Sequence, residues 1–401
     1  MAFNGHGVTS HSHRMTRSSR IPLLIAGGGI GGLATALAVS RTGRPVHVLE
    51  RAPDFTELGA GLQLAPNALR VFQRLGILEE IDKHAFYPRR LVMMDMLAGE
   101  EITSLELGAR FLAHYKFPYL VMHRGDLLNV EVAACRASNL ITLESNKEIV
   151  EIEDLPGGVR ATCSDGSVYE CDALVGADGL HSTIRKMITI DNAPVCSEYV
   201  AYRGTAPIGQ IPQRPGLDTM TIWIGPEKHF VQYPLRQGEI CNQVAVFRSH
   251  RYQPEADDWG TPSELDLHFG EACEYVNRAL GLIHRGRRWP MFDRPPNPNW
   301  NRNRMTLLGD AAHPMLQYLA QGACQALEDS VCLADQLAAH GDDVAGAFES
   351  YRQVRFPRTA LVQMSARGFG DLIHADNAAA NIRHALSGNS AEFFYFDWLY
   401  G

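Results

Sequence analysis

Residues 21–40 read IPLLIAGGGIGGLATALAVS and carry no charge at any position. By length such a run is a candidate membrane span, and the basic residues before it allow a signal peptide. Five glycines interrupt its middle: Gly27, Gly28, Gly29, Gly31 and Gly32. They predict a strand over 21–26, a turn, and an amphipathic helix. A second apolar stretch at 45–50 follows at once and predicts a second strand. Strand, glycine turn, helix and strand make a βαβ unit rather than a span.

Each glycine has a separate task in such a unit. Gly27 permits the tight turn, Gly29 lets the backbone approach a pyrophosphate, and Gly32 lets the helix pack closely on the strand. The free N–H groups of the helix start then face phosphate charge. Glu50 ends the second strand, where an acid takes the ribose hydroxyls. Arg51 follows it and is grouped with the same cofactor end. An acid at this place disfavours a 2′-phosphate, so the site suits FAD or NAD rather than NADP.

Outside this unit the composition sets limits. The chain has 401 residues, 45% hydrophobic and 20% charged. That is globular composition with room for two or three domains. The net charge is −8, which argues against nucleic-acid binding. Of the 37 basic residues only five are Lys, so arginine supplies almost all the positive charge. The eight cysteines form neither a CxxC nor a zinc spacing. Reduced thiols, no metal and a cytoplasmic location are the reading.

Two further strands run into glycine–acid loops. One leads to Asp178-Gly179 and the other to Gly309-Asp310. Behind the second, Gln321-Gly322-Ala323 opens a helix whose apolar face is read as Ala323, Ala326, Leu327, Val331 and Ala334. A helix start aimed at a flavin would stabilise its reduced, anionic form. Residues 199–249 alternate apolar and polar like antiparallel strands. Residues 285–304 hold four prolines without a period and read as a long crossing loop. The predicted fold is α/β: a Rossmann-like FAD-binding domain, an inserted β-rich substrate domain and C-terminal helices. The expected boundaries are 21–90, 118–198 and 301–345 for the first, 91–117 and 199–300 for the second, and 346–401 for the last. Residues 1–20 are expected to be disordered, with a transit peptide or a start at Met15 as alternatives.

The GxGxxG, Asp-Gly and Gly-Asp motifs, in this order and spacing, resemble those of the single-component FAD-dependent aromatic hydroxylases, the p-hydroxybenzoate-hydroxylase-like family. The resemblance covers about residues 21–400. It implies non-covalent FAD held by Gly27, Gly29, Gly32, Glu50, Asp178, Gly309, Asp310, Gly322 and Ala323. It also implies that Arg124 contacts FAD and that Ala60-Gly61 passes the flavin. Within the family, the segments 201–205, 228–236, 242–247, 313–320 and 397–401 are most similar to the 3-hydroxybenzoate 6-hydroxylase branch, whose product is gentisate. In that chemistry NADH reduces FAD, and O₂ adds at flavin C4a to give the electrophilic hydroperoxide. NADPH is left open as the reductant, and a homodimer as the assembly.

On the substrate side the resemblance implies that His229 accepts the phenol's proton and that Gln317 is its second partner. It further implies that Tyr115 orients the substrate, with Tyr233 beside it. Alternation places His229, Val231 and Tyr233 on one strand face. That face reads as poor in arginine, because Arg236 points the other way, so the substrate carboxylate lacks an evident counter-charge. His313 reads as structural, and Cys324 and Cys332 as packing residues. The alternatives are a salicylate 1-hydroxylase, a 6-hydroxynicotinate 3-monooxygenase, an NAD-only dehydrogenase and a non-catalytic flavoprotein.

Overall fold

The computed structural model describes residues 20–56, 60–190, 193–214, 216–254, 256, 258–376 and 392–401. Of the tail read over residues 1–20, residues 1–19 lie outside the described residues, and Arg20 Nη1 donates to Gly157 O at 3.1 Å. The uncharged run folds as the strand Leu23–Ala26, a glycine turn and the helix Ile30–Ser40, followed by the strand Val46–Leu49. Both strands are almost wholly buried, because covering helices leave no polar face on a parallel sheet.

Leu23–Ala26 lies inside a six-stranded sheet. Leu174–Gly176 and Val46–Leu49 flank it in parallel, with Met305–Leu307 and Ile141–Glu144 beyond them. Asn301–Arg302 closes one edge in the antiparallel sense. Thus the strands that lead into the three glycine motifs are neighbours in one sheet, and their loops emerge together from its carboxyl edge. Ligands of open α/β sheets bind at that edge. A three-stranded meander over 149–171 and the two-stranded pair Gly61–Leu64 with Leu120–His123 complete this half.

The second large sheet has seven strands. In spatial order they are Trp289–Asp293, Val195–Pro207, Ile240–Arg248, Lys228–Leu235, Met220–Gly225, Arg90–Asp95 and Glu101–Glu106. Its outer face buries Trp223, Phe230 and Phe247 under the helices Pro262–Phe269 and Glu274–Leu280. Its inner face joins the main core through Ala201, Val231, Tyr233, Val244 and Val246.

The stretch 285–304 is not the crossing loop its prolines suggested. Trp289–Asp293 is a strand that, among the described residues, pairs only with Val195–Pro207. It sits at the sheet edge, where a proline such as Pro290 removes no needed ladder bond. Beyond the sheets, the helix Gly322–His340 packs along Ile30–Ser40. A side chain on Gly31 would place its Cβ 3.1 Å from that of Ala326. The helix Val344–Ile373 follows, capped by the Asp343 side chain on the Gly346 N–H.

Candidate active site and cofactor cleft

At the sheet edge the glycines are enforced by contact. Gly27 has φ +111°, and a Cβ there would lie 2.4 Å from the Ala177 carbonyl oxygen. A Cβ on Gly32 would lie 2.0 Å from the Gly27 oxygen. The helix Ile30–Ser40 begins at Gly29 with no side-chain cap and no acid in its first turn. Its first N–H groups are thus left for a ligand anion. A cavity of about 210 Å³ opens beside them, lined by Gly27, Gly29, Glu50, Arg51, Asp178 and His181 among others. The helix Gly322–His340 likewise starts at Gln321 without a side-chain cap or a first-turn acid. A cradle that a methyl group would fill, two uncapped helix starts and a ribose-height acid fit a dinucleotide.

The acids of the cleft hold the loops in shape. Glu50 accepts from the Gly28 N–H at 2.7 Å and the Ala52 N–H at 2.8 Å. Asp178 accepts from Ser182 Oγ at 2.5 Å and from the Thr183 and Ile184 N–H groups at 2.7 and 3.1 Å. It therefore caps the helix Thr183–Ile188. Burial pushes its carboxyl up, and these hydrogen bonds offset only part of that. Gly309 has φ +59°, and its N–H donates to Asp329 Oδ2 at 3.0 Å. Asp310, next to it, is exposed.

The inner face of the seven-stranded sheet carries the second group of residues. Register aligns His229 with Val246 and Ala201, Val231 with Val244 and Arg203, and Tyr233 with Asn242 and Thr205. These nine side chains share one face. His229 is buried, and its Nδ1 lies 2.7 Å from Nε2 of His374. Burial, and then the neighbouring His374, hold its pKa well below the usual imidazole range. It is therefore a neutral ring at pH 7. Arg203 Nη2 donates to Gln317 Oε1 at 2.5 Å. No carboxylate among the described residues pairs with Arg203, and its Nε is shielded from solvent without a partner. Burial lowers its pKa, yet a guanidinium stays charged at neutral pH.

A family model described as "FAD binding domain" matches residues 20–366. The chain belongs to this FAD-binding family. The flavoprotein is 42% identical to "3-hydroxybenzoate 6-hydroxylase 1" of Aquipseudomonas alcaligenes over 94% of this chain and 97% of that one. It is 38% identical to "3-hydroxybenzoate 6-hydroxylase" of Polaromonas naphthalenivorans over 95% and 96%. Among solved structures, Klebsiella pneumoniae HpxO complexed with FAD and uric acid has the same fold. The TM-score is 0.81, with 23% identity over 92% of this chain and 93% of that one.

The flavoprotein brings most of the residues singled out from its sequence to two places. Gly27, Gly29, Glu50, Arg51 and Asp178 line the cleft. Ala60 and Gly61 lie between the FAD-binding half and the inner sheet face. Ala60 O accepts from the Arg124 N–H at 3.1 Å, and the Gly61 N–H donates to Asn242 Oδ1 at 2.8 Å. A Cβ on Gly61 would fall 2.5 Å from the Tyr233 ring, so only glycine lets the chain pass there. Gly322 starts its helix beside Asp310, whose Oδ1 would lie 3.8 Å from an added Cβ, and Ala323 follows in its first turn.

Tyr115 finds its partners in the C-terminal segment. Its hydroxyl donates to Asp397 Oδ1 at 2.9 Å, and its ring packs on Phe111 and Tyr400. It thereby ties the C-terminal segment to the helix Ala109–Tyr115. The inner face is also not poor in arginine, as its one strand suggested. Arg203 arrives from a different strand, two positions across the sheet. Alternation within 201–205 was the available signal. His374 had none, since 145 residues separate it from His229. No helix of the described residues is long and apolar enough to cross a membrane.

Proposed function

We propose that this flavoprotein is an NADH-dependent monooxygenase that converts 3-hydroxybenzoate to 2,5-dihydroxybenzoate, gentisate. The observation that carries the reading is the inner-face group of His229, Gln317 and Arg203. It offers a neutral base, an amide and a positive charge with no carboxylate partner among the described residues, the three partners that a hydroxylated aromatic acid requires. The names of the relatives at 42% and 38% identity support the same substrate.

Bound and reduced FAD supplies the activation of O₂. The protein's residues prepare the ring to be hydroxylated. Arg203 neutralises the carboxylate as a charge-assisted partner. His229 takes the phenol's proton at Nε2, because Nδ1 is engaged by His374. The phenolate then pushes electron density to the carbon para to it, which is C6 of 3-hydroxybenzoate. Gln317 accepts from Arg203 at Oε1, which leaves its amide N–H to donate to the same ligand. Burial of His229 and Tyr233 keeps water from the reacting ring.

The test is oxidation of NADH by the purified yellow protein, with and without 3-hydroxybenzoate, and chromatography of the product. Stimulated oxidation with gentisate formed is the expected outcome. Stimulation without gentisate removes the substrate assignment. Salicylate and 6-hydroxynicotinate run in parallel identify the neighbouring specificities, and NADPH in place of NADH tests the reductant.

A further inference from the structure

The polar path that begins at His229 does not end there. Its Nδ1 lies 2.7 Å from His374 Nε2, and the two rings overlap with centroids 4.9 Å apart at 27°. His374 follows directly on the long helix Val344–Ile373. Its backbone is pinned twice: its N–H donates to Gly370 O at 3.1 Å, and its carbonyl accepts from the Glu227 N–H at 3.0 Å. Tyr199 also stacks on it, at 4.5 Å and 15°. Tyr318, the residue after Gln317, presents an edge to both imidazoles, at 5.7 Å from His229 and 5.2 Å from His374. The ring is therefore fixed in place and in orientation.

A hydrogen bond between two imidazoles needs one N–H and one lone pair, so the ring that donates sets the tautomer of the other. With His229 donating from Nδ1, its Nε2 carries the lone pair that a base needs. We propose that His374 is a positioning residue that fixes this tautomer and carries the substrate's phenolic proton away from the site. This inference rests on the reading of His229 as the group that takes that proton.

The transfer balances in three moves. The phenol O–H breaks as His229 Nε2–H forms. His229 Nδ1–H breaks as His374 Nε2–H forms. His374, itself only 6% exposed, then gives its Nδ1–H to water at the surface beyond it. His229 ends neutral, as the tautomer that donates to the phenolate oxygen, and no charge is left in the buried ring.

The groups around the relay suit an exit on this side. Glu227, on the turn that His374 pins, is bonded to Arg248 at 3.0 Å and His250 at 2.6 Å. Glu198 holds the same Arg248 at 2.7 Å. Asp371, one turn back on the long helix, is exposed. Both Glu227 and Asp371 act on Tyr199, whose hydroxyl burial holds above its usual range. Tyr318 is shifted the same way by burial, then by Tyr199, Asp371 and Asp293, the last of which is bonded to Arg367. Neither phenol releases a proton near neutrality, so the carboxylate-rich surface and water are the acceptors.

The test mixes oxidised holoenzyme with 3-hydroxybenzoate, without NADH, in weak buffer with a pH-indicator dye. Ultraviolet absorbance follows phenolate formation and the dye follows proton release. The expected result for His374→Gln is phenolate formation slowed about tenfold or more, with the pH of ionisation raised by about one unit. Binding of 3-methoxybenzoate, which has no proton to give, should stay within about twofold. Equal weakening of both ligands means a structural role and overturns the proposal, as does an unchanged rate and pH.

If the glutamine variant loses flavin, His374→Phe keeps a stacking ring without nitrogens and is read by the same criteria. Loss of flavin in both also overturns it, because a relay residue is not needed to hold FAD. His229→Gln separates the two ideas. If it still releases the proton, His229 is not the base and both readings fall. If it abolishes release while His374→Gln changes nothing, only the relay falls.

Discussion

His313 and His229 are both shielded from water, at 1% and 2% exposure, and their surroundings differ in kind. His313 Nε2 lies 2.5 Å from Asp329 Oδ2, and Asp329 Oδ1 accepts from Arg355 Nε at 2.6 Å. Arg355 also holds Glu328 at 2.5 Å. Burial pushes the Asp329 carboxyl up, but His313 and Arg355 outweigh it and hold it below the usual carboxylate range. Every charge there has a partner. At the other centre His229 is bonded to a second imidazole, and Arg203 to a neutral amide. A buried group with its counter-charge built in belongs to the fold. A group left without one is completed by a ligand. The first centre shapes the Gly309 loop through the Asp329 bond, and the second is the one proposed to take the substrate.

The sharpest way to break this contrast is to remove one arginine from each centre. Arg355→Leu leaves the fully buried Asp329 without its arginine, while Glu328 keeps Arg358. It is expected to cost about 3–5 kcal/mol of stability in urea unfolding, with FAD lost as the Gly309 loop relaxes. A loss under about 1 kcal/mol would mean the centre is solvated rather than buried.

The histidine of the second centre should behave in the opposite sense. His229→Gln is expected to lower hydroxylation by about 10²–10⁴-fold while flavin content and unfolding midpoint stay near those of the parent. Parallel loss of flavin and activity would make His229 another His313.

Arg203→Leu comes next in size. The expected effect is about 30-fold weaker binding of 3-hydroxybenzoate, read as quenching or perturbation of flavin absorbance, with stability within about 1 kcal/mol. A neutral ligand such as 3-hydroxybenzamide should lose much less. Equal losses would show that Arg203 serves the cofactor rather than the carboxylate.

The contrast also explains what could be read in the sequence. The glycine motifs were legible because each needs only its neighbours in the chain: strand, turn and helix lie within 21–40. His229 and Tyr233 were legible as one face, since alternation is local. Arg203 was half legible, because its own strand showed its face but not which strand lay beside it. Asp329 was not legible: an acid on a helix reads as solvated, and its partners lie 16 and 26 residues further along or back. The strand at 289–293 was hidden by prolines that an edge position tolerates. His374 depends on a contact across 145 residues that no local pattern encodes.

The smallest expected effect is on stability against pH, and its sign follows from the His229 environment. In the folded chain burial and His374 hold its pKa well below 6.5, the value from which it is lowered. Below about pH 6.5 the unfolded chain takes up a proton at this ring that the folded chain refuses. Stability from this group is therefore complete above that pH and declines as the pH falls. His229→Gln removes the difference, so the variant should lose less stability than the parent between pH 7.5 and 5.5. The gap is at most about 1.4 kcal/mol per pH unit, read from urea unfolding at both values. Asp329 adds nothing in this window, because a depressed carboxyl loses its contribution only below about pH 5. Asp329 and His229 thus lose their contributions in separate pH ranges. Identical pH slopes in parent and variant would mean that His229 is protonated or solvated in the fold, and the distinction between a completed centre and an open one would be lost.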